Sequence, residues 1–228
     1  SRYDDDNGDD SGSVYLYRTD GVFIEKLVAP DGAANDWFGY SLAMSADVIA
    51  VYSERDDDNG VDSGSVYLYR TDGVLIQKLI APDGAAGDEF GYSLAISNSI
   101  VAAGSQFDDD NGVNSGSVYL YRTDGVFIRK LVAPDGAADD RFGYSLAISA
   151  DIIAVSSLFD DDNGVNSGSV YLYRTDGVFI QKLVASDGAT DDWFGYFLAI
   201  SADVIAVSSI FDDDNGDNSG SVYLYRTD

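Results

Sequence analysis

Apolar and polar residues alternate along this chain in short runs, and nowhere does the three-to-four-residue spacing of a helix appear. Within Gly116–Arg122, Val118 and Leu120 fall on one face of an extended segment and Tyr119 and Tyr121 on the other. Thr123-Asp124-Gly125 then predicts a tight turn, because Asp-Gly adopts the positive φ that hairpins need. A second strand is expected over Val126–Val132. After the loop Ala133–Asp140, two more follow at Phe142–Ser149 and Ile152–Ser156, separated by a turn at Asp151.

This pattern recurs. Asp-Asp-Asp-Asn-Gly begins at Asp4, Asp56, Asp108, Asp160 and Asp212, always 52 residues apart, and Ser-Gly-Ser-Val-Tyr-Leu-Tyr-Arg-Thr-Asp follows each time. Residues 115–139 and 167–191 differ at only three of 25 positions, namely Arg129/Gln181, Pro134/Ser186 and Ala138/Thr190, so the copies must occupy near-equivalent environments. Four short strands per period predict an all-β fold, a β-propeller or propeller-like array of four-stranded antiparallel blades with a 52-residue repeat. Residues 1–228 read as a single tandem-repeat domain, four full repeats plus a 20-residue overhang. Because residues 1–20 and 209–228 are almost the same segment, the strand Val14–Tyr17 is duplicated at Val222–Tyr225. Three readings of the surplus strand stay open: a chain cut from a longer array, another kind of ring closure, or pairing with a neighbouring molecule that builds filaments.

Composition narrows the function classes. The 40 acidic residues include only three Glu, against 13 Lys and Arg, for a formal charge of −27. Asp belongs in turns, where its short side chain bonds nearby backbone. So negative a surface repels phosphate backbones and anionic lipid, which predicts no nucleic-acid partner and no membrane insertion. No apolar run approaches the length of a membrane span, and the opening residues lack the pattern of a signal peptide. The missing initiator Met suggests a processed or partial product. With no Cys and no His, disulfides, thiolate chemistry and imidazole bases are excluded.

Phe142-Gly-Tyr-Ser-Leu-Ala, then Ile153-Ala-Val, an Asp-rich loop and Ser115-Gly-Ser-Val-Tyr in the same periodic order resemble the FG-GAP repeat of integrin alpha-chain propellers and related surface proteins. Four Phe-Gly pairs (Phe38, Phe90, Phe142, Phe194) stand in phase with the five acidic loops, and the resemblance covers essentially the whole chain. It implies a β-propeller in an extracellular or cell-surface setting, a binding role and often calcium. Integrin propellers close with seven blades, whereas this chain holds four periods and an overhang.

The candidate calcium ligands are Asp4, Asp6, Asp56, Asp58, Asp108, Asp109, Asp110, Asn111, Asp160, Asp162, Asp212 and Asp214, since calcium takes several hard oxygens from a glycine-containing turn. The register is imperfect. The family's calcium pattern, Asp-x-Asp-x-Asp-Gly-x-x-Asp, aligned on Gly112 puts Phe107 at the first ligand position; started at Asp108, it puts Gly112 where a carboxylate belongs. The competing reading is a solvated Asn-Gly turn. The second loop, Asp135–Asp140, reads as a blade-to-blade connection that could lend carboxylates to a neighbouring site. Phe142 and its equivalents read as core anchors, Tyr119 and Tyr121 as packing between sheets with Arg122 paired to Asp, and the variable Trp37, Glu89, Arg141 and Trp193 as exposed. Because the same acids recur in every copy, no asymmetric acid–base pair is expected and the chain reads as non-enzymatic. The expected role is structural or adhesive, through self-association. The alternative is recognition of a protein or glycan ligand.

Overall fold

The computed structural model describes residues 1–97 and 99–227, and among these there is no helix. Seventeen strands form five antiparallel sheets in chain order. First comes a two-stranded sheet of β1 (Val14–Tyr17) and β2 (Phe23–Leu27). Blade I follows with β3 (Phe38–Met44), β4 (Val48–Ser53), β5 (Ser65–Arg70) and β6 (Leu75–Leu79). Blade II holds β7 (Leu94–Ser97), β8 (Ile100–Ser105), β9 (Ser117–Arg122) and β10 (Phe127–Leu131). Blade III holds β11 (Phe142–Ser149), β12 (Ile152–Ser157), β13 (Ser169–Arg174) and β14 (Phe179–Leu183). The last sheet has three strands, β15 (Phe194–Ser201), β16 (Val204–Ser209) and β17 (Ser221–Arg226). Each full blade is a simple meander in which neighbours in sequence are neighbours in the sheet.

The cores lie between sheets. The aliphatic face of blade II, with Val118, Leu120 and Leu131, packs on Phe142, Ile153, Val155, Tyr171 and Tyr173 of blade III. The same contact, in the same polarity, joins blade I to II, the first sheet to I, and III to the last. Phe38, Phe90, Phe142 and Phe194 are all fully buried, so their reading as anchors holds. Phe142 meets Tyr171 and Tyr173 edge to face, with centroids 5.5 and 6.0 Å apart. Full burial of each such side chain contributes about 1.5–3 kcal/mol.

Two glycines let the backbones meet. A β-carbon at Gly116, where φ is +80°, would land inside the van der Waals shell of the Phe142 carbonyl oxygen on the next blade. Gly143, at φ +92°, sits where the ladder between β11 and β12 slips between Phe142 and Leu146. That bulge re-aims Tyr144 toward the inner rim. There Tyr92, Tyr144 and Tyr196 of successive blades stand 5.5 and 5.6 Å apart, in a groove of about 320 Å³ that also takes in Tyr40.

The arrangement is an open arc. Val170 and Leu172 of blade III are buried under the last sheet, but their counterparts Val222 and Leu224 are 67% and 71% exposed. The Trp37, Glu89, Arg141 and Trp193 positions depart from expectation: they are half-buried, and each has a left-handed backbone with φ of 53–55°. Each leans on a side chain 18 residues further on or next to it. The Arg55 guanidinium lies 3.6 Å from the Trp37 ring, Arg141 covers Phe159, and Trp193 meets Phe211 edge-on at 4.6 Å. At Glu89 the side chain accepts a hydrogen bond from Gln106.

Candidate functional site: a lysine among the aspartates of each blade

The acidic loop links the second and third strands of a blade and is built around its own backbone. In blade II, Gly112 N donates to the Asp109 carbonyl (3.1 Å) and Ser115 N to the Gly112 carbonyl (3.0 Å), closing two successive turns, and Gly116 N donates to the Asp108 carbonyl (2.8 Å), closing the loop. Asp109 Oδ1 accepts the Asn114 N–H at 2.7 Å, and the Asn111 amide donates to the Ala133 carbonyl at 3.0 Å, tying the loop to the next connection. Asp109 and Asn111 therefore shape the loop. Asp108 and Asp110 instead point together, and the same holds for Asp4 with Asp6, Asp56 with Asp58, and Asp160 with Asp162.

At their meeting point sits a lysine from the fourth strand. Lys130 Nζ lies 2.8 Å from Asp108 Oδ2, 2.7 Å from Asp110 Oδ2 and 3.0 Å from Asp83 Oδ2. Asp83 belongs to the connection entering the blade, so three chain segments converge on one ammonium group. Blade I repeats the set with Lys78 on Asp31, Asp56 and Asp58, and blade III with Lys182 on Asp135, Asp160 and Asp162. In the first sheet Lys26 pairs with Asp4 and Asp6. The Asp135–Asp140 loop is thus both a connection and a donor of one carboxylate. Asp212 and Asp214 face Asp187 with no lysine among the described residues, and the charges of Asp212 and Asp187 hold the Asp214 carboxyl above its ordinary range.

A tyrosine completes each cluster. Tyr119 Oη lies 2.7 Å from Asp83 Oδ1 and 2.8 Å from Asp108 Oδ2 and shares its single proton between them. Tyr121 donates instead to the Ile80 carbonyl at 2.7 Å. Both rings are buried, which bears out their reading as packing between sheets. Arg122 pairs with Asp124, Arg70 with Asp72 and Arg174 with Asp176, all with side chains half or more exposed.

The electrostatics follow from these contacts. Burial pushes the Asp83 carboxyl up, but hydrogen bonds from Tyr119 and Lys130 outweigh it and hold the group below its usual range. Burial alone would lower Lys130, yet its bonds to Asp108, Asp110 and Asp83 push it up to about 12. Asp88 and Asp140, beside the cluster, behave oppositely. Burial, reinforced by repulsion from the neighbouring loop aspartates, outweighs a backbone N–H bond and pushes both up to about 6.

Calcium was the cofactor expected for these loops, and in the four clusters that contain a lysine the side chains do not fit it. The ammonium takes the point on which the three carboxylates converge, and its positive charge excludes a cation there. The lysine was missed in the sequence. A signal existed: Lys26, Lys78, Lys130 and Lys182 recur 52 residues apart, while the residue before each changes through Glu25, Gln77, Arg129 and Gln181.

Stacked four-stranded blades joined by one repeated interface and one repeated polar cluster define a propeller-type tandem-repeat protein. The FG-GAP repeat family model matches residues 22–69, 74–121, 126–173 and 178–225, and the chain belongs to that family. Each matched unit runs from the fourth strand of one sheet through the third strand of the next, so the family unit straddles an interface. No curated protein matches the chain. Among solved structures it is similar to the WD40 domain of Neurospora crassa Pan2, at 12% identity and a TM-score of 0.57, over 95% of this chain and 56% of that one. The chain thus spans little more than half of that structure. No helix is long and apolar enough to cross a membrane among the described residues.

Proposed function

We propose that this chain is a non-enzymatic structural or adhesive repeat protein of the extracellular space or cell surface, which self-associates through the exposed parts of its sheets. One observation carries the reading. The outermost strand of each full blade is an unpaired edge, and it begins with apolar residues left in water: Val126, Phe127 and Ile128 are 51%, 41% and 36% exposed, and Val178, Phe179 and Ile180 are 50%, 41% and 41% exposed. An open edge of this kind is a template for pairing with another chain. Repetition along one arc makes the contact multivalent, so weak single edges sum to firm adhesion. The bare aliphatic face at Val222 and Leu224 adds a head-to-tail contact of the kind that builds filaments. Family membership supports the extracellular setting, and the recurrence of identical acids with identical partners in every blade supports a non-catalytic role.

Light scattering and electron microscopy over a range of concentrations test this reading. Association should rise with concentration, weaken in a Phe127→Lys/Phe179→Lys variant, and lose its end-to-end component in Leu224→Asp. Isolated arcs at high concentration would count decisively against it.

The second reading, a discrete recognition module for a protein or glycan, is favoured by the inner-rim groove. Tyr92, Ser93, Tyr144, Ser145 and Tyr196 line a concave surface of ligand-pocket size. A Tyr92→Ala/Tyr144→Ala variant would lose ligand binding under this reading while keeping its state of association.

A further inference from the structure

We propose that the fourth-strand lysine is a built-in counter-ion standing where a loop cation would sit, so that the blades carrying it hold together without taking up calcium. The inference goes beyond the functional reading above and stands or falls separately from it.

An oxygen inventory carries the argument. In blade II the three protons of the Lys130 ammonium match three carboxylates, one from the connection and two from the loop. Other oxygens of the buried loop aspartate and its neighbour are already engaged. Asp108 Oδ1 accepts Ser117 Oγ at 2.8 Å and the Asp110 N–H at 3.2 Å, Asp108 Oδ2 accepts Tyr119, and Asp109 Oδ1 accepts the Asn114 N–H. Calcium requires six to eight oxygens at about 2.3–2.6 Å, and the three carboxylate oxygens that converge on one point here are taken by the ammonium. Lysine also performs the mechanical part of a metal's work, because it pulls the entering connection, the acidic loop and the outer strand onto one point.

Burial shows that the group is built in. The side chains of Lys78, Lys130 and Lys182 are 15–19% exposed, and those of their partners Asp56, Asp108 and Asp160 are 4–6% exposed. Lysine stems are flexible and normally keep their ammonium groups in water. Here each lies about 5 Å from the ring centre of the tyrosine that shares its aspartates. Four copies repeat the placement, although the residue before the lysine carries negative, neutral or positive charge in different copies.

The test follows amide hydrogen exchange of the loops 56–62, 108–114 and 160–166 in calcium and in a chelator, for the wild type and for Lys130→Gln, alongside melting curves. Wild-type loops should exchange equally fast in both conditions. In chelator, Lys130→Gln should melt about 5–10 °C lower, because a nearly buried carboxylate loses its counter-charge. Calcium should then slow exchange at 108–114 in the variant while leaving 56–62 and 160–166 unchanged. Three results would overturn the proposal: calcium-dependent protection of these loops in the wild type, a variant as stable in chelator as its parent, or a variant loop that calcium leaves unprotected. Lys130→Arg, which keeps the charge but forks it, serves as a folding control and should lie between the two.

Discussion

Removing one hydroxyl tests the tyrosine–aspartate–lysine cluster most directly. Tyr119→Phe deletes the proton that Asp83 and Asp108 share and leaves the ring, and hence the contact with Phe90 at 5.3 Å, in place. A hydrogen bond to a charged group contributes about 1.5–3 kcal/mol, and Asp108 is only 3% exposed, so water can replace little of it. A loss of about 2 kcal/mol is expected, equivalent to about 4–8 °C for a chain of this size. Tyr121→Phe is the internal control. Its hydroxyl donates to a neutral carbonyl, that of Ile80, and its removal should cost about 1 kcal/mol. Urea unfolding followed by tyrosine and tryptophan fluorescence measures both, provided the slopes match those of the wild type. The difference should shrink at low pH, where protonated carboxyls bring their own donors. A Tyr119→Phe protein within 0.5 kcal/mol of the wild type, or one less affected than Tyr121→Phe, would refute the charged-acceptor argument.

Other perturbations separate what matters from what does not. Gly116→Ala forces a β-carbon against the Phe142 carbonyl at a positive φ and should cost at least about 2 kcal/mol in urea unfolding. Tyr52 is fully buried and its hydroxyl has no partner among the described residues, so Tyr52→Phe should raise the urea midpoint by an amount equivalent to about 1 kcal/mol. Arg122→Ala removes an exposed pair with Asp124 and should leave stability within about 0.5 kcal/mol. Asp88 and Asp140, raised to about 6, bind a proton more tightly folded than unfolded, so their contribution is complete below 3.8 and is lost as pH rises through 6. The urea midpoint should therefore rise between pH 7.5 and 5, less so in Asp88→Asn/Asp140→Asn. Below that, protonation of the lowered Asp31, Asp83 and Asp135 should reverse the trend.

Features of the fold that depend on one strand or one turn were legible in the sequence. Val118 and Leu120 against Tyr119 and Tyr121 specify a strand covered on both faces, and Asp124-Gly125 specifies the hairpin, closed by Arg122 N donating to the Val126 carbonyl at 2.8 Å. Features that depend on how units meet were not. Curvature was hidden because every interface uses the same residues, so the periodicity reads alike for an arc and a ring. Trp37, Glu89, Arg141 and Trp193 looked exposed because they vary, but each is partly covered by a side chain distant in sequence: Trp37 by Arg55, Arg141 by Phe159, Trp193 by Phe211. The lysine escaped notice because 22 residues and a whole strand separate Lys130 from Asp108, its nearly buried partner. Acid spacing alone pointed to a metal, although the charge that meets those acids comes from the chain itself.

The position of that lysine couples neighbouring units. Asp135, Asp160, Asp162 and Tyr171 lie in the third matched unit, but Lys182, which draws the three carboxylates together, lies in the fourth. Each cluster is therefore closed by the unit that follows it, and a repeat array gains stability from such nearest-neighbour contacts. The Asp212 cluster tests the idea, since the described chain gives it neither lysine nor fourth strand. Appending a copy of residues 177–188 after residue 228 would supply both: an outer strand to pair with β17, a leucine equivalent to Leu183, and a lysine for Asp187, Asp212 and Asp214. Amide exchange over Ser221–Arg226 should then slow toward that of Ser169–Arg174, and the gain should halve or more if the appended lysine is replaced by Gln. An extension that leaves exchange in β17 unchanged would mean that the lysine follows the fold rather than helping to hold it.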